Sequence, residues 1–498
     1  MSLSIKNVAL AVLSFLVAIF LTARYLPVET DALNSPIVWR EITEHGFGVL
    51  KSWYATPDNW YFTVYPVNFF FYLLFGNDGI VPLTISTALF ACLTAISFWY
   101  VAFRCSAGKY SVLVISALTL MPAYAYTFGF IAHPFSHYST TAYGSLCVAI
   151  MIANVSVRHY ALVAIVSIIS ILAGASDPWY LASFFLPMLL SQAYLLWKKQ
   201  ASVKDFITYT VAFVISISGL VQKIFNIPVE HFKLTTLDQM VINFEVAFTA
   251  IGRMLNPFFV NNSVTLSLSL IIWIPLTLYS AWICFKSTKE SSALAVLACL
   301  SISAIISSFT LSFEHVNDMN ARFFGNVPAF VITICVICAA IKRSKTISAL
   351  IILFCVSSLY SYTDVKGPMF DQGEKTAEYI RFLHKNDLSY GYANTVQYAT
   401  TTNWMSNGDI KIVPVYQNPE TGYITKDVAR GQTMRYWLSD ENMAKSPERQ
   451  FFAVAKSARS CSDKKMCIDA ITKRIGQPDE TLTFHQFTIL VYNHRLSF

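Results

Sequence analysis

Long apolar stretches alternate with short polar joints over the first 362 residues of the chain, and after Tyr362 the alternation stops. A helix that crosses a bilayer needs about 20 mostly apolar residues. Eleven windows qualify, centred near Ser14, Ala91, Leu118, Ala149, Ile165, Leu186, Phe213, Ile272, Ala304, Ile334 and Phe354. Residues 62–75 are also apolar but short and interrupted by Pro66, which reads as a helix lying in the interface or re-entering the membrane. Basic residues fall in alternate joints: Arg104 and Lys109, Arg158, Lys198 with Lys199 and Lys204, Lys286 with Lys289, and Lys342 with Arg343 and Lys345. The opposite joints, around His133, Asp177 and Glu314, are nearly free of them apart from Arg322. The positive-inside rule then predicts a cytoplasmic N-terminus and, after eleven spans, an exported C-terminus. The first window has no small-x-small cleavage site and reads as a retained anchor.

Residues 363–498 carry charged and turn-forming residues throughout. Helical spacing over 374–384 places Ala377, Ile380 and Leu383 on one face. Residues 410–415, 451–455 and 487–492 are β-branched or aromatic and read as strands. The expected fold class is a polytopic α-helical membrane protein. Residues 1–362 form its membrane domain, with a first outer loop over about 25–79, and residues 363–498 form a soluble α/β domain on the periplasmic side.

Composition agrees with that reading. The chain is 55% hydrophobic and 13% charged, with mean hydropathy +0.49, whereas soluble domains carry about 25% charged residues. The net charge of +7 is spread over the inner joints, where it reports topology and not nucleic-acid binding. Eight of the ten cysteines lie in or beside spans and read as packed thiols. Cys461 and Cys467 fall in the domain that the topology exports, where disulfides persist, so a bridge between them is expected. Their Cys-x5-Cys spacing has no further Cys or His at zinc spacing.

Candidate chemistry concentrates in the outer loops. Directly after the first span, Glu29-Thr30-Asp31 presents two carboxylates at the membrane surface. The same loop holds Arg40, Glu41, Trp53, Asp58 and Trp60. The next outer loops hold His133 and His137, then Asp177 and Trp179 in a four-residue link, then Glu314, His315, Asp318 and Arg322. Each such residue alone reads equally as an anchor or a solvated loop residue. Together they supply acid, base and a guanidinium whose planar fork suits a phosphate.

This layout resembles the GT-C class of integral-membrane glycosyltransferases, which take a sugar from a polyprenyl-phosphate carrier on the non-cytoplasmic face. Within that class it is most similar to the bacterial serotype-converting glucosyltransferases that decorate O-antigen. In related enzymes that transfer aminoarabinose to lipid A, an acidic residue follows the first span and an amphipathic stretch ends in Arg-Glu. Asp31 followed by Arg40-Glu41 matches that register better than Glu29 does, and Arg322-Phe323 matches the class's later Arg-aromatic pair. The class's paired Asp-Glu is Glu-Thr-Asp here, which leaves open which carboxylate is the base.

The resemblance implies an inverting transfer of a sugar, with undecaprenyl-phosphate glucose the expected donor and lipid-linked O-antigen the expected acceptor. Asp31 or Glu29 would accept the acceptor proton, and Arg322 would stabilise the leaving phosphate. Substrate contacts are expected from Asp58, Trp60, His133, His137, Asp177, Trp179, Glu314, His315, Asp318 and Trp404. No cofactor is required on this reading, and a divalent cation is an option. The setting would be the bacterial inner membrane, beside enzymes that make and flip the donor. Two other readings are an O-antigen ligase or polymerase with a pyrophosphate-linked donor, and a transporter or flippase. Transporters usually place ionisable groups near mid-membrane and show internal repeats, neither of which is found in these spans.

Overall fold

The computed structural model describes residues 5–131, 136–229, 232–314, 316, 318–368, 371–426, 432–457 and 460–497. Its helices, in chain order, are α1 (Ile5–Tyr25), α2 (Asn34–His45), α3 (Tyr65–Phe75), α4 (Ile80–Arg104), α5 (Ser111–Thr119), α6 (Ser136–Val157), α7 (Tyr160–Ser176), α8 (Leu186–Trp197), α9 (Val203–Ile217) and α10 (Leu220–Phe225). They continue with α11 (Leu237–Met254), α12 (Ser263–Phe285), α13 (Lys289–Ser312), α14 (Asn326–Lys342), α15 (Lys345–Ser361), α16 (Gly373–Lys385), α17 (Val396–Met405), α18 (Asp440–Ala444) and α19 (Lys464–Ile475). All eleven window centres fall within helices. Among the described residues, five helices (α1, α4, α6, α12 and α13) are long and apolar enough to cross a membrane by themselves. Pro66 sits in the first turn of α3, where its missing N–H costs nothing, so it opens that short helix instead of breaking it.

The chain divides into two compact units. The first comprises Met1–Leu26, Pro57–Ile224 and Val229–Met369, and the second comprises Pro27–Thr56, Phe225–Pro228 and Phe370–Phe498. The sequence boundary at Tyr362 had assigned the whole first loop to the helical domain. Residues 27–56 instead fold with the C-terminal residues. The Val28 N–H donates to Asp371 (3.0 Å), the Gln372 N–H donates to the Val28 carbonyl (3.0 Å), and Trp53–Tyr54 pairs antiparallel with Thr433–Met434.

Helices of the first unit join through buried hydroxyl pairs, Ser14 with Thr119 (2.6 Å) and Thr22 with Tyr126 (3.1 Å), which satisfy groups that lipid cannot. A β-carbon on Gly144 of α6 would lie 2.2 Å from the Phe184 ring, so that close approach to the π-helical turn Leu181–Phe185 requires glycine. Hydropathy alone missed α11, because Asp238, Glu245 and Arg253 interrupt its apolar run. Its buried face carries Asn243, whose side-chain N–H groups reach the carbonyls of Phe309 (3.4 Å), Thr310 (3.1 Å) and Phe313 (2.8 Å). That one amide supplies the Thr310 and Phe313 carbonyls at the C-terminus of α13, while the Phe309 carbonyl also accepts from the Phe313 N–H (3.2 Å).

The second unit is an α/β domain around a five-stranded sheet. Its strands are β1 (Tyr390–Ala393), β2 (Lys411–Pro414), β3 (Gln450–Val454), β4 (Glu480–Phe484) and β5 (Phe487–Tyr492), in the order β2-β1-β3-β5-β4. β1 is parallel to β2 and β3, and β5 is antiparallel to β3 and β4. Tyr379 of α16 stacks on Phe487 (5.4 Å) over a core of Leu383, Ile412, Phe451, Ile489 and Val491. The helix and three strands anticipated from periodicity are α16, β2, β3 and β5. Tyr390 and Tyr392 are buried in β1.

Asn243→Ala would remove the side-chain donor to the Thr310 and Phe313 carbonyls at the end of α13. The expected loss is about 1–3 kcal/mol, read as a lower melting temperature of the purified protein in detergent. An unchanged melting temperature would show that those carbonyls have other partners.

Candidate functional site

In the second unit the two carboxylates of the first loop have different surroundings. Glu29 turns back on its own chain, with Oε2 accepting from the Asp31 N–H (3.1 Å) and Oε1 from the Ala32 N–H (2.9 Å). Both of its oxygens therefore fix the turn that leads into α2. Asp31 Oδ1 accepts from the side-chain amide of Gln432 (2.7 Å), a residue with no motif to mark it in the sequence.

Arg40 and Glu41 are used inside this unit. Arg40 donates to the carbonyls of Asn403 (3.1 Å) and Trp404 (3.2 Å) at the C-terminal end of α17, where a cation suits the helix dipole. Trp404 is half-buried there. Glu41 is 7% exposed, accepts hydrogen bonds from the Tyr436 hydroxyl and the Trp437 indole (3.0 Å), and lies 3.7 Å from the Lys411 ammonium. Burial pushes its carboxyl above the usual range, while Lys411 and the Trp437 N–H act against that rise. Cys461 and Cys467 are joined as a disulfide (Cα–Cα 6.1 Å) at the start of α19.

The first unit brings together residues from three joints between its helices. Asp177 closes α7 and is 1% exposed. Its Oδ2 pairs with His137 Nδ1 (2.8 Å) and accepts from the Thr140 hydroxyl (2.5 Å), and its Oδ1 accepts from the Trp179 N–H (3.0 Å). Burial opposes the Asp177 charge, but His137, Thr140 and the Trp179 N–H outweigh it and hold the carboxyl below its usual range. Phe323 packs on both His137 (ring centroids 4.3 Å) and Trp179 (4.6 Å). The loop with Asp58 and Trp60 is tied to the same place, because Asn59 donates to the Ala175 carbonyl (2.7 Å) and the Phe62 N–H to Ser176 (3.2 Å). Trp60 is buried edge-on against Tyr65.

Arg322 lies beside Phe323 in a 3-10 turn (Asp318–Phe324) and holds its guanidinium 5.0 Å from the Phe323 ring. Next to that turn is a cavity of about 440 Å³, lined by Tyr124, Glu245, Arg253, Asn320 and Ala321. Arg253 of α11 lies 5.2 Å over the Tyr124 ring. Glu245 and Arg253 were not singled out in the sequence, since α11 itself was not. Glu314 is exposed. His133, His315 and the Asp318 side chain lie outside the described residues. Among the described residues no three His, Cys, Asp or Glu side chains group as a metal site would need.

Glu41 supplies a test of the second unit. A carboxyl whose folded pKa is raised stabilises the fold at low pH, and loses that contribution as pH rises from its ordinary value through the raised one. The melting temperature of a Glu41→Gln variant minus that of wild type should therefore grow more positive between about pH 4 and about pH 7. A difference that is flat or shrinks over that range would mean that burial does not govern this carboxyl.

No family model matches the chain, and no curated protein matches it. Solved structures do. The apo crystal structure of ArnT from Cupriavidus metallidurans is similar at TM-score 0.59 and 11% identity, with 98% of this chain and 97% of that chain covered. The structure of the same protein bound to undecaprenyl phosphate is similar at TM-score 0.53 and 10% identity, with the same coverage. At such identity the likeness shows the fold alone, a many-helix membrane domain with an α/β domain as in ArnT.

Proposed function

We propose that the chain is an inverting glycosyltransferase that moves a sugar from a polyprenyl-phosphate carrier to a glycan on the periplasmic face of the bacterial inner membrane. The observation that carries this reading is the ArnT-like fold over 98% of the chain, in a neighbour also solved with undecaprenyl phosphate. The chemistry of the outer-loop residues supports it. Glucose as the sugar and lipid-linked O-antigen as the acceptor are the finer form of the proposal.

In this mechanism Asp31 accepts the proton of the acceptor hydroxyl as it attacks the anomeric carbon. The carrier phosphate leaves on the opposite side, so the anomeric configuration inverts. Asp31 suits the role better than Glu29, whose two oxygens already hold backbone N–H groups. Arg322 and Arg253 neutralise the carrier phosphate, Arg322 through its bidentate fork and Arg253 from the cavity beside the 3-10 turn. The Asp177–His137 pair keeps the Trp179 and Phe323 rings in place, a positioning role toward the sugar.

The deciding experiment incubates purified protein with polyprenyl-phosphate glucose and a lipid-linked O-antigen acceptor. Glycosylated product supports the transferase. Product from a pyrophosphate-linked donor alone would move the chain to the ligase or polymerase class, and no product with any donor would favour transport.

Within that assay, Asp31→Asn should lower turnover by about 100-fold or more, the usual size of general-base help. Glu29→Gln should cost less, about tens of fold, through the loosened turn. A dead Glu29→Gln beside a near-normal Asp31→Asn would exchange their roles. Arg322→Ala should lose nearly all activity and Arg322→Lys much of it, because Lys keeps the charge without the fork. Arg253→Ala should raise the donor KM more than the acceptor KM. Equal KM values in the Arg253 variant and wild type would take Arg253 out of the donor site.

A further inference from the structure

A second polar cavity, of about 270 Å³, lies at the other end of α6 and α7 from the His137–Asp177 pair. Seventeen residues of α6 separate His137 from Asn154 at this cavity, roughly 25 Å at 1.5 Å per residue. The turn between α6 and α7 contributes Arg158 and the start of α7 Tyr160, while the turn between α8 and α9 contributes Gln200 and Ser202 and the start of α9 Lys204 and Asp205. The first turns of α7 and α9 thus both border it, and each brings the partial positive charge of a helix N-terminus. α9 is closed by a Ser202–Asp205 capping box, whereas no side chain caps α7. Lys204 is held 3.8 Å over the Tyr160 ring, so its ammonium stays at the rim. Arg158 and Lys204 against Asp205 leave the lining with one net positive charge.

A separate feature points to a ligand. Gln192 of α8 lines the cavity, is 4% exposed, and has no hydrogen-bond partner for its Oε1 among the described residues. Gln200 Oε1 in the same lining is likewise buried without a partner among the described residues. A buried amide oxygen left unmatched costs about 1–3 kcal/mol, so two in one cavity call for a ligand that donates hydrogen bonds. The cations and helix ends call for an anion of single charge.

We propose that this cavity binds a phosphodiester that carries hydroxyl groups, the chemistry of a phosphatidylglycerol headgroup. The phosphate meets Arg158, Lys204 and the first turn of α7, while the glycerol hydroxyls donate to Gln192 and Gln200. Basic pockets between membrane helices are where anionic headgroups are held. The site is distinct from the proposed transfer centre, and its occupancy steadies the α6–α7 and α8–α9 turns.

The test uses full-length protein in neutral detergent, titrated with dioctanoyl phosphatidylglycerol and followed by native mass spectrometry. Dioctanoyl phosphatidylcholine serves as the zwitterionic comparison. One phosphatidylglycerol per chain should bind in preference to phosphatidylcholine. The Arg158→Gln/Lys204→Gln variant should weaken it at least about tenfold, the factor that 1.4 kcal/mol represents. Gln192→Glu, which places a carboxylate in the cavity, should weaken it similarly. Lys342→Ala/Lys345→Ala, in another basic joint, should leave binding unchanged. Equal loss in that control, or equal binding of phosphatidylcholine, would overturn the site in favour of unspecific surface charge. Inorganic phosphate binding alone, without the lipid, would overturn the lipid source and leave a free-phosphate site.

Discussion

Asp177 is a carboxylate with almost no access to water, placed where an apolar helix ends, and its partners hold its carboxyl below the usual range. A charge in that position persists only if its surroundings replace the lost hydration. His137, Thr140 and the Trp179 N–H supply that replacement, and each comes from a set place in the fold. His137 and Thr140 stand one turn apart on α6, so satisfying Asp177 fixes how α6 and α7 meet. The Phe323 ring then packs between two defined partners, His137 and Trp179. Asn59 and Ser176 join the first-loop residues to the same helix end. Several joints between the helices are held by one electrostatic demand.

The same rule governs the second unit. Glu41 is buried among Tyr436, Trp437 and Lys411, and Arg40 closes the end of α17. These contacts fold a 30-residue piece of the first loop, Pro27–Thr56, into a domain whose main part begins only at Phe370. Glu29 and Asp31 are thus presented by that α/β unit. Their inequality follows from local geometry: one carboxylate is committed to backbone N–H groups and the other to a side-chain amide.

The two cavities of the helical unit share a physical logic. Each sets guanidinium or ammonium groups against an aromatic ring, Arg253 over Tyr124 at one and Lys204 over Tyr160 at the other. A ring face orients the cation at the rim without neutralising it. Each cavity also contains one carboxylate, Glu245 or Asp205, which limits the net positive charge. Both arrangements suit a phosphate that already sits at the end of a lipid chain.

Hydrophobic patterning by itself determined the helices at all eleven window centres, because a backbone in lipid must satisfy its own hydrogen bonds and needs an apolar run of matching length. Periodicity likewise placed α16 and three strands of the sheet. It failed at α11, where three charged residues hid a helix that packs through Asn243 and Ala247. It also left out β1, since nothing local says that a short aromatic strand lies between two parallel neighbours. The sequence marked Asp31, His137, Asp177 and Arg322 as chemically suggestive residues. Only the tertiary structure paired His137 with Asp177 across 40 positions and Asp31 with Gln432 across 401. Patterning reports what each segment must bury, whereas the partner of a buried charge depends on which distant segment arrives beside it.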